Sequence, residues 1–246
     1  MKLEFLGTRG NIDTQTAKHK HHSSIKISYY HHEVIIDCGE DWAQKVSDWN
    51  ADAIIITHAH PDHAFGLKDG APCPVYATEE AWEIMDSFQI TDRRIIEERE
   101  RFQLPGNGTH PLFFEAFPVL HSTRAPAVGY QVQTGEAKIF YVPDVAWIKD
   151  REAAMRGIDI YIGDGATLKR SMVRKPGDKI IGHVPLQTQL TWCQKMGVSK
   201  AVFTHLGTKI VEADQEKIMD QIMAMAHQRN LDDVTIAHDG MEIIIR

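Results

Sequence analysis

The stretch Ile54-Ile55-Ile56-Thr57-His58-Ala59-His60-Pro61-Asp62-His63 constrains this chain more than any other. A β-branched apolar run of this kind reads as a buried strand, and here it leads straight into three histidines and an aspartate. Residues two apart on an extended segment point the same way, so His58 and His60 converge on one cation, and the turn at Pro61 lets Asp62 and His63 address a second. Imidazoles and a carboxylate suit Zn, Mn or Fe, and the lack of neighbouring thiolates argues against a purely structural zinc site.

The rest of the chain has to supply a scaffold for that string. Alternating or β-branched runs predict strands at Lys2–Leu6, Ser24–Tyr30, Glu33–Asp37, Ala53–Thr57 and Pro74–Ala77. A second series falls at Leu112–Val119, Val128–Gln133, Lys138–Val142, Ile158–Ile162, Lys200–Thr204, Val234–Ala237 and Met241–Ile245, the last two joined as a hairpin through Asp239-Gly240. Helical patterning predicts Glu79–Phe88, a turn around Glu152–Arg156, Leu186–Met196, and one long helix over Val211–Arg229 whose Ile218, Met219, Ile222 and Met225 pack as core. The charged segment Thr91–Gly108 reads as a surface excursion, and His31 and His32 as exposed hairpin residues.

Two strand-rich halves with helices at intervals predict an α+β, four-layer αββα sandwich, a single domain over residues 1–246 with no linker or repeat to divide it. Its 43% hydrophobic and 25% charged residues are those of a globular protein, and no apolar run approaches the roughly 20 residues of a membrane span. The opening MKLEFLGTRG does not read as a signal peptide, so the expected location is the cytoplasm. Cys38, Cys73 and Cys193 are odd in number and far apart, which predicts reduced thiols without a disulfide framework. A net charge of -7 argues against a broad basic surface for duplex nucleic acid, leaving room for a local basic pocket.

An H-x-H-x-D-H motif after a hydrophobic strand resembles the signature of the metallo-β-lactamase superfamily, over essentially the whole chain. That resemblance implies a later His, Asp and His, each closing a strand on one rim. His121 follows Phe117-Pro118-Val119-Leu120, Asp144 follows Tyr141-Val142-Pro143, and His205 follows Ala201-Val202-Phe203-Thr204. By resemblance, His58, His60 and His121 hold one metal, Asp62, His63 and His205 a second, and Asp144 bridges both. The implied cofactors are two divalent ions, Zn or Mn, whose shared hydroxide is the nucleophile.

The superfamily hydrolyses lactams, thioesters, lactones and phosphodiesters, so residues outside the motif choose the reaction. Gly7-Thr8-Arg9-Gly10, a basic stretch before a serine near the second strand, a histidine before a late helix and the ending Asp239-Gly240-Met241-Glu242-Ile243 resemble PhnP-type cyclic phosphodiesterases and, more distantly, ribonuclease Z. The basic stretch Lys18-His19-Lys20-His21-His22-Ser23 places His22 and Ser23 as candidate phosphate contacts. His183, before a helix, is the candidate general acid or phosphate clamp, and Asp164 either orients a histidine or caps a turn. The resembled PhnP-type enzymes can carry a cysteine-bound structural zinc near the amino end. With no cysteine before Cys38, that zinc is not expected here.

The resembled ribonuclease Z grips transfer RNA with a long flexible arm, whereas the charged Thr91–Gly108 segment, with Asp92, Glu97, Glu98 and Glu100 among its residues, is short and not predominantly basic, which disfavours transfer RNA as substrate. The leading expectation is a two-metal hydrolase, with Asp62 and His183 catalytic, acting on a small or cyclic nucleotide or sugar phosphodiester. Alternatives are a lactone or thioester hydrolase on the same metals, or a sensor of the same fold that binds a metabolite. Members of this fold often form homodimers, but the sequence marks no interface.

Overall fold

A computed structural model describes residues 1–104 and 109–245. In chain order the strands of the first half are β1 (Lys2–Gly7), β2 (Ser24–Tyr29), β3 (His32–Ile36), β4 (Ala53–Ile55), β5 (Val75–Ala77), β6 (Arg93–Ile95) and β7 (Arg101–Gln103). Those of the second half are β8 (Phe113–Leu120), β9 (Ala127–Gln133), β10 (Lys138–Tyr141), β11 (Trp147–Ile148), β12 (Ile160–Asp164), β13 (Lys200–Thr204), β14 (Asp233–Ile236) and β15 (Met241–Ile244). The helices are α1 (Pro61–Ala64), α2 (Glu79–Ile84), α3 (Arg151–Met155), α4 (Leu186–Met196), α5 (Thr208–Val211) and α6 (Gln215–His227).

One sheet runs β15-β1-β2-β3-β4-β5-β6. The other runs β11-β8-β9-β10-β12-β13-β14, with β7 also on β8. Period-two sequences make the sheet faces: in β1, Leu3 and Phe5 turn inward while Lys2 and Glu4 stay partly exposed. Leu3, Phe5, Ile27, Ile55, Phe114, Tyr130, Ile139 and Ile162 meet between the two sheets. A second core joins β12 and β13 to α4 and α6, and a third seats α1 and α2 on β3, β4 and β5. Helices therefore cover the outer face of each sheet, giving the αββα sandwich of the metallo-β-lactamase fold.

Three local expectations are corrected and one is filled in. The long helix expected over Val211–Arg229 begins only at Gln215: α5 ends at Val211, Asp214 leaves the helical path, and its carboxylate accepts from the Glu216 and Lys217 amides as the N-cap of α6. The last two strands do not form a hairpin. β14 pairs with β13 in one sheet and β15 with β1 in the other, so Asp239-Gly240 turns a crossover between sheets. The Asp239 carboxylate accepts from the Lys20 and His21 amides and from the Thr8 hydroxyl, tying the crossover to the basic stretch. The segment Thr91–Gly108 contributes the exposed strands β6 and β7, and its residues 105–108 lie outside the described residues. His31 is exposed as expected, but His32 is buried at the start of β3. No helix is long and apolar enough to cross a membrane.

Candidate metal centre

Parallel pairing of β3 with β4, of β10 with β12 and of β12 with β13 brings several strand ends to one rim. The loop after β4 carries His58, β8 is followed by His121, β10 by Asp144 and β13 by His205. The Val128 amide donates to the Thr57 carbonyl and the Tyr130 hydroxyl to the Ile56 carbonyl, clamping the exit of β4 onto β9 of the opposite sheet. His60 is the extended N-cap residue of α1 with Pro61 in the first turn, so the backbone reverses there and turns Asp62 and His63 back toward the cluster. Only glycine fits beneath this turn: a Cβ on Gly39 would lie 2.2 Å from the Asp62 carbonyl oxygen.

Two sets of side chains converge at the rim. In the first, His58 Nε2 is 2.9 Å from His60 Nδ1 and 3.2 Å from Asp144 Oδ2. His121 Nε2 is 3.3 Å from that His60 nitrogen and 3.2 Å from the same Asp144 oxygen. In the second set, Asp62 Oδ2 is 3.3 Å from His63 Nε2 and 3.1 Å from His205 Nε2, and His63 Nε2 is 3.2 Å from Asp144 Oδ2. The ligands of a tetrahedral ion at about 2.0–2.1 Å stand about 3.3 Å apart, which is the spacing of both sets.

The donors also lack other partners. His63 Nε2, Asp144 Oδ1 and His205 Nδ1 are buried with no hydrogen bond of acceptable geometry, although His205 Nδ1 and Asp144 Oδ1 approach to 2.8 Å. Orphaned atoms facing one another in a dry cluster are costly unless something sits among them. Both sets can hold a metal ion, with Asp144 common to the two. A third grouping, Asp144, Asp164, His183 and His205, is differently committed. The Asp164 oxygens already accept from the Val145 and Ala166 amides and from His183 Nδ1 at 2.8 Å.

The electrostatics divide the rings. Burial holds His58, His60 and His121 below their ordinary value, His60 at about 4. Burial would lower His63 and His205 as well, but Asp62, Asp37 and Asp144 raise His63 well above its ordinary value, and Asp144 and Asp62 lift His205 to about 10. Burial works against ionisation of Asp62 and Asp144, yet the histidines around them hold both carboxyls well below the usual range.

Asp37, which the sequence reading left inside a strand, lies behind both sets. Its Oδ2 accepts from His63 Nδ1 at 2.8 Å, and its oxygens accept from the Thr57 amide and hydroxyl. With its proton directed to Asp37, the Thr57 hydroxyl is left to accept from His58 Nδ1, 3.0 Å away, which turns the lone pair of His58 to Nε2. Asp37 and His205 both have positive φ, 68° and 53°, a strained backbone for non-glycine residues that recurs at functional sites.

The candidate phosphate contacts are placed otherwise than expected. His22 is buried, its ring 3.3 Å from Asp41, and burial with the Arg9 charge beside it holds it at about 4. Ser23 is buried and donates to the Arg9 carbonyl. Neither lines the cavity over the metal sets, because Arg9 and Asp41 bind this stretch down into the fold. His183 does line that cavity, as do His60, Asp62, His121, Asp144 and His205.

The cavity measures about 1370 Å³, and its wall contains Arg124, Lys169, Arg170, Arg174 and Lys209. None of these five side chains forms an ion pair or hydrogen bond among the described residues. The sequence carried a usable signal in the run Lys169-Arg170-Ser171-Met172-Val173-Arg174-Lys175, which the more conspicuous histidines of residues 18–22 obscured.

Comparison with known proteins agrees with this architecture. A family model described as the beta-lactamase superfamily domain matches residues 32–206. Ribonuclease Z of Methanopyrus kandleri is 26% identical over 99% of this chain and 98% of its own length. The structure of Zn²⁺-bound PqqB from Methylobacterium extorquens superposes with a TM-score of 0.73 at 18% identity, covering 100% of both chains. A diphosphatase from the PhnP family superposes at 0.69 and 21% identity, over 98% of this chain and 96% of that one. At such identities the two structures speak for the fold alone.

Proposed function

We propose that this chain, which belongs to the beta-lactamase superfamily and is a metal-dependent hydrolase, cleaves a phosphodiester of a small or cyclic organic phosphate with two metal ions. The observation that carries this reading is the pairing of two donor sets sharing Asp144 with a cavity whose five wall cations have no anionic partner among the described residues. Unpaired cations over a site on a protein of net charge -7 select and concentrate an anionic substrate. Full-length likeness to a ribonuclease Z supports the same class of bond.

In this reading His58, His60 and His121 hold one ion, Asp62, His63 and His205 the other, and Asp144 joins them. When bound, two divalent ions, Zn or Mn, activate water and polarise the phosphoryl oxygens. Asp144, common to both sets, would supply negative charge that offsets the repulsion of two cations, and Asp62 would add to it at the second set. Asp164 fixes His183 through Nδ1, leaving Nε2 of this cavity-lining ring as a donor. Burial lowers the His183 ring, but Asp164 and then Asp144 outweigh it and raise its pKa above the ordinary histidine value, which favours the protonated form. A charged imidazole there protonates the departing oxygen, a contribution of roughly 10²–10⁴-fold.

Apolar Ile12, Leu168, Met172 and Ile181 on the same wall favour a second reading, hydrolysis of a lactone or thioester. One experiment separates the two. Protein stripped of metal and reloaded with Zn²⁺ or Mn²⁺ is offered bis(p-nitrophenyl) phosphate, a p-nitrophenyl carboxylic ester and a lactone. Metal-dependent cleavage of the phosphodiester alone is expected, whereas cleavage only of the ester or lactone would replace the proposal with the second reading.

A further inference from the structure

The wall cations are not spread evenly. Lys169, Arg170 and Arg174 lie on one segment that leaves the end of β12, runs over the metal sets and returns to His183. It is built as a hairpin: the Arg174 and Ile181 backbones bond in both directions, and the Met172 amide donates to the His183 carbonyl. The return strand is held to the metal cluster by the Gly182 amide, which donates to the His121 carbonyl at 2.7 Å. The closure requires glycine, since residue 182 has φ +99° and a Cβ there would meet the Met172 carbonyl at 2.2 Å. Arg170 and Arg174 are thus carried on an arm with a defined seat.

The wall cations draw an anion into the cavity, but a single diester seated at the metal sets gives Arg170 and Arg174 no phosphate of their own to hold. With two divalent ions bound, Asp62, Asp144 and a hydroxide would offset all but one of their charges, and one diester anion would cancel the remainder. Arg170 and Arg174 would be left facing a filled site with no counter-charge. Between them in the sequence, Met172 is 47% exposed and puts an apolar side chain on the same cavity wall. The volume of about 1370 Å³ also exceeds the roughly 300–1,000 Å³ usual for a small ligand.

We propose that the hairpin is a subsite for a second phosphate group of the substrate, held by Arg170 and Arg174, while an organic body bearing both phosphates rests on Met172. This inference rests on the phosphodiesterase reading and deepens it: the substrate is a bisphosphate, with one diester at the metals and a second phosphate on the hairpin. Arginine suits the task because its planar fork grips phosphate oxygens in pairs.

The test compares two chromogenic substrates, the p-nitrophenyl ester of thymidine 5′-monophosphate and the same ester phosphorylated at the 3′ oxygen. With the metal-loaded protein, kcat/KM for the 3′-phosphorylated ester is expected to exceed that of the plain ester by about tenfold or more, mainly through KM. In R170Q/R174Q that ratio falls toward one, and each single variant keeps part of it. Both residues are exposed, so the variants should fold.

A second readout needs no turnover. Zn²⁺-loaded protein should bind adenosine 3′,5′-bisphosphate more tightly than adenosine 5′-monophosphate, and R170Q/R174Q should lose the difference. A ratio near one in the unmodified protein, or a preference that survives the double substitution, overturns the subsite while leaving phosphodiester hydrolysis intact. Failure to cleave either ester overturns the hydrolase reading instead, and equal binding of the two nucleotides then overturns the subsite as well.

Discussion

At the scale of single residues, Asp37 has a reach out of proportion to its distance from the cavity. One carboxylate orients His63 directly and His58 through the Thr57 hydroxyl, so it sets a ring in each donor set. Asp37→Asn keeps the shape and removes the charge that fixes the His63 tautomer. Loss of such a supporting partner typically weakens metal affinity by about 10–100-fold. The expected result is a loss of that size in a zinc titration against a competing chelator, with the far-ultraviolet spectrum unchanged. Undiminished affinity would show that the rings hold their orientation without Asp37. The H-x-H-x-D-H string could be seen in the sequence because its members are neighbours. Asp37 could not, since its partners lie 20 and 26 residues away and an aspartate closing a strand has many ordinary uses.

At the scale of elements, the site depends on how closely α1 approaches the loop after β3. Gly39 meets Asp62, and a Cβ on Gly66 would lie 2.4 Å from the Gly39 carbonyl oxygen, so two backbones touch where a side chain would separate them. Gly39→Ala is therefore expected to displace the turn carrying Asp62 and His63. Forced overpacking costs about 1–3 kcal/mol, visible as a lower melting temperature, and zinc affinity should fall with it. A melting temperature and zinc affinity both equal to the parent's would mean that α1 can slide without cost.

Most strands were legible from alternation or β-branching, as was α4 from its helical spacing. The start of α6, expected at Val211 and found at Gln215, shows the limit of such patterns. The apolar spacing continues across residues 212–214, and only the capping bonds of Asp214 mark the break.

At the scale of the whole molecule, burial and charge oppose each other around the metal sets. Burial holds His60 and His22 at about 4 against an ordinary value of 6.5. Below pH 6.5 the unfolded chain takes protons that these folded rings refuse, so stability declines as the pH falls toward 4. His205 behaves oppositely: burial lowers it, but Asp144 and Asp62 raise it to about 10. Its contribution is complete below 6.5 and is lost as the pH rises toward 10. Metal-stripped protein should therefore melt highest near pH 6.5 and lower on both sides. Because metal must displace the His63 and His205 protons, the rise in melting temperature on adding Zn²⁺ should grow with pH. Scanning calorimetry between about pH 5 and 9 checks both trends, and a stripped protein that grows steadily more stable to pH 9 would contradict the assignment at His205.

By itself the sequence determined the chemistry on offer and the elements that carry it. Histidine and aspartate at two-residue spacing after an apolar strand need no tertiary information to suggest a metal site, because that spacing is already geometry along an extended backbone. Tertiary structure decided which distant residues share a wall. The histidine-rich stretch at residues 18–22 looked like the phosphate contact, but Arg9, Asp41 and Asp239 bind it into the fold. The cations that face the metal sets come instead from residues 169–174, together with Arg124 and Lys209. No local pattern separates a cation paired and buried against the scaffold from one left free over a cavity, because the distinction lies in carboxylates contributed by remote parts of the chain.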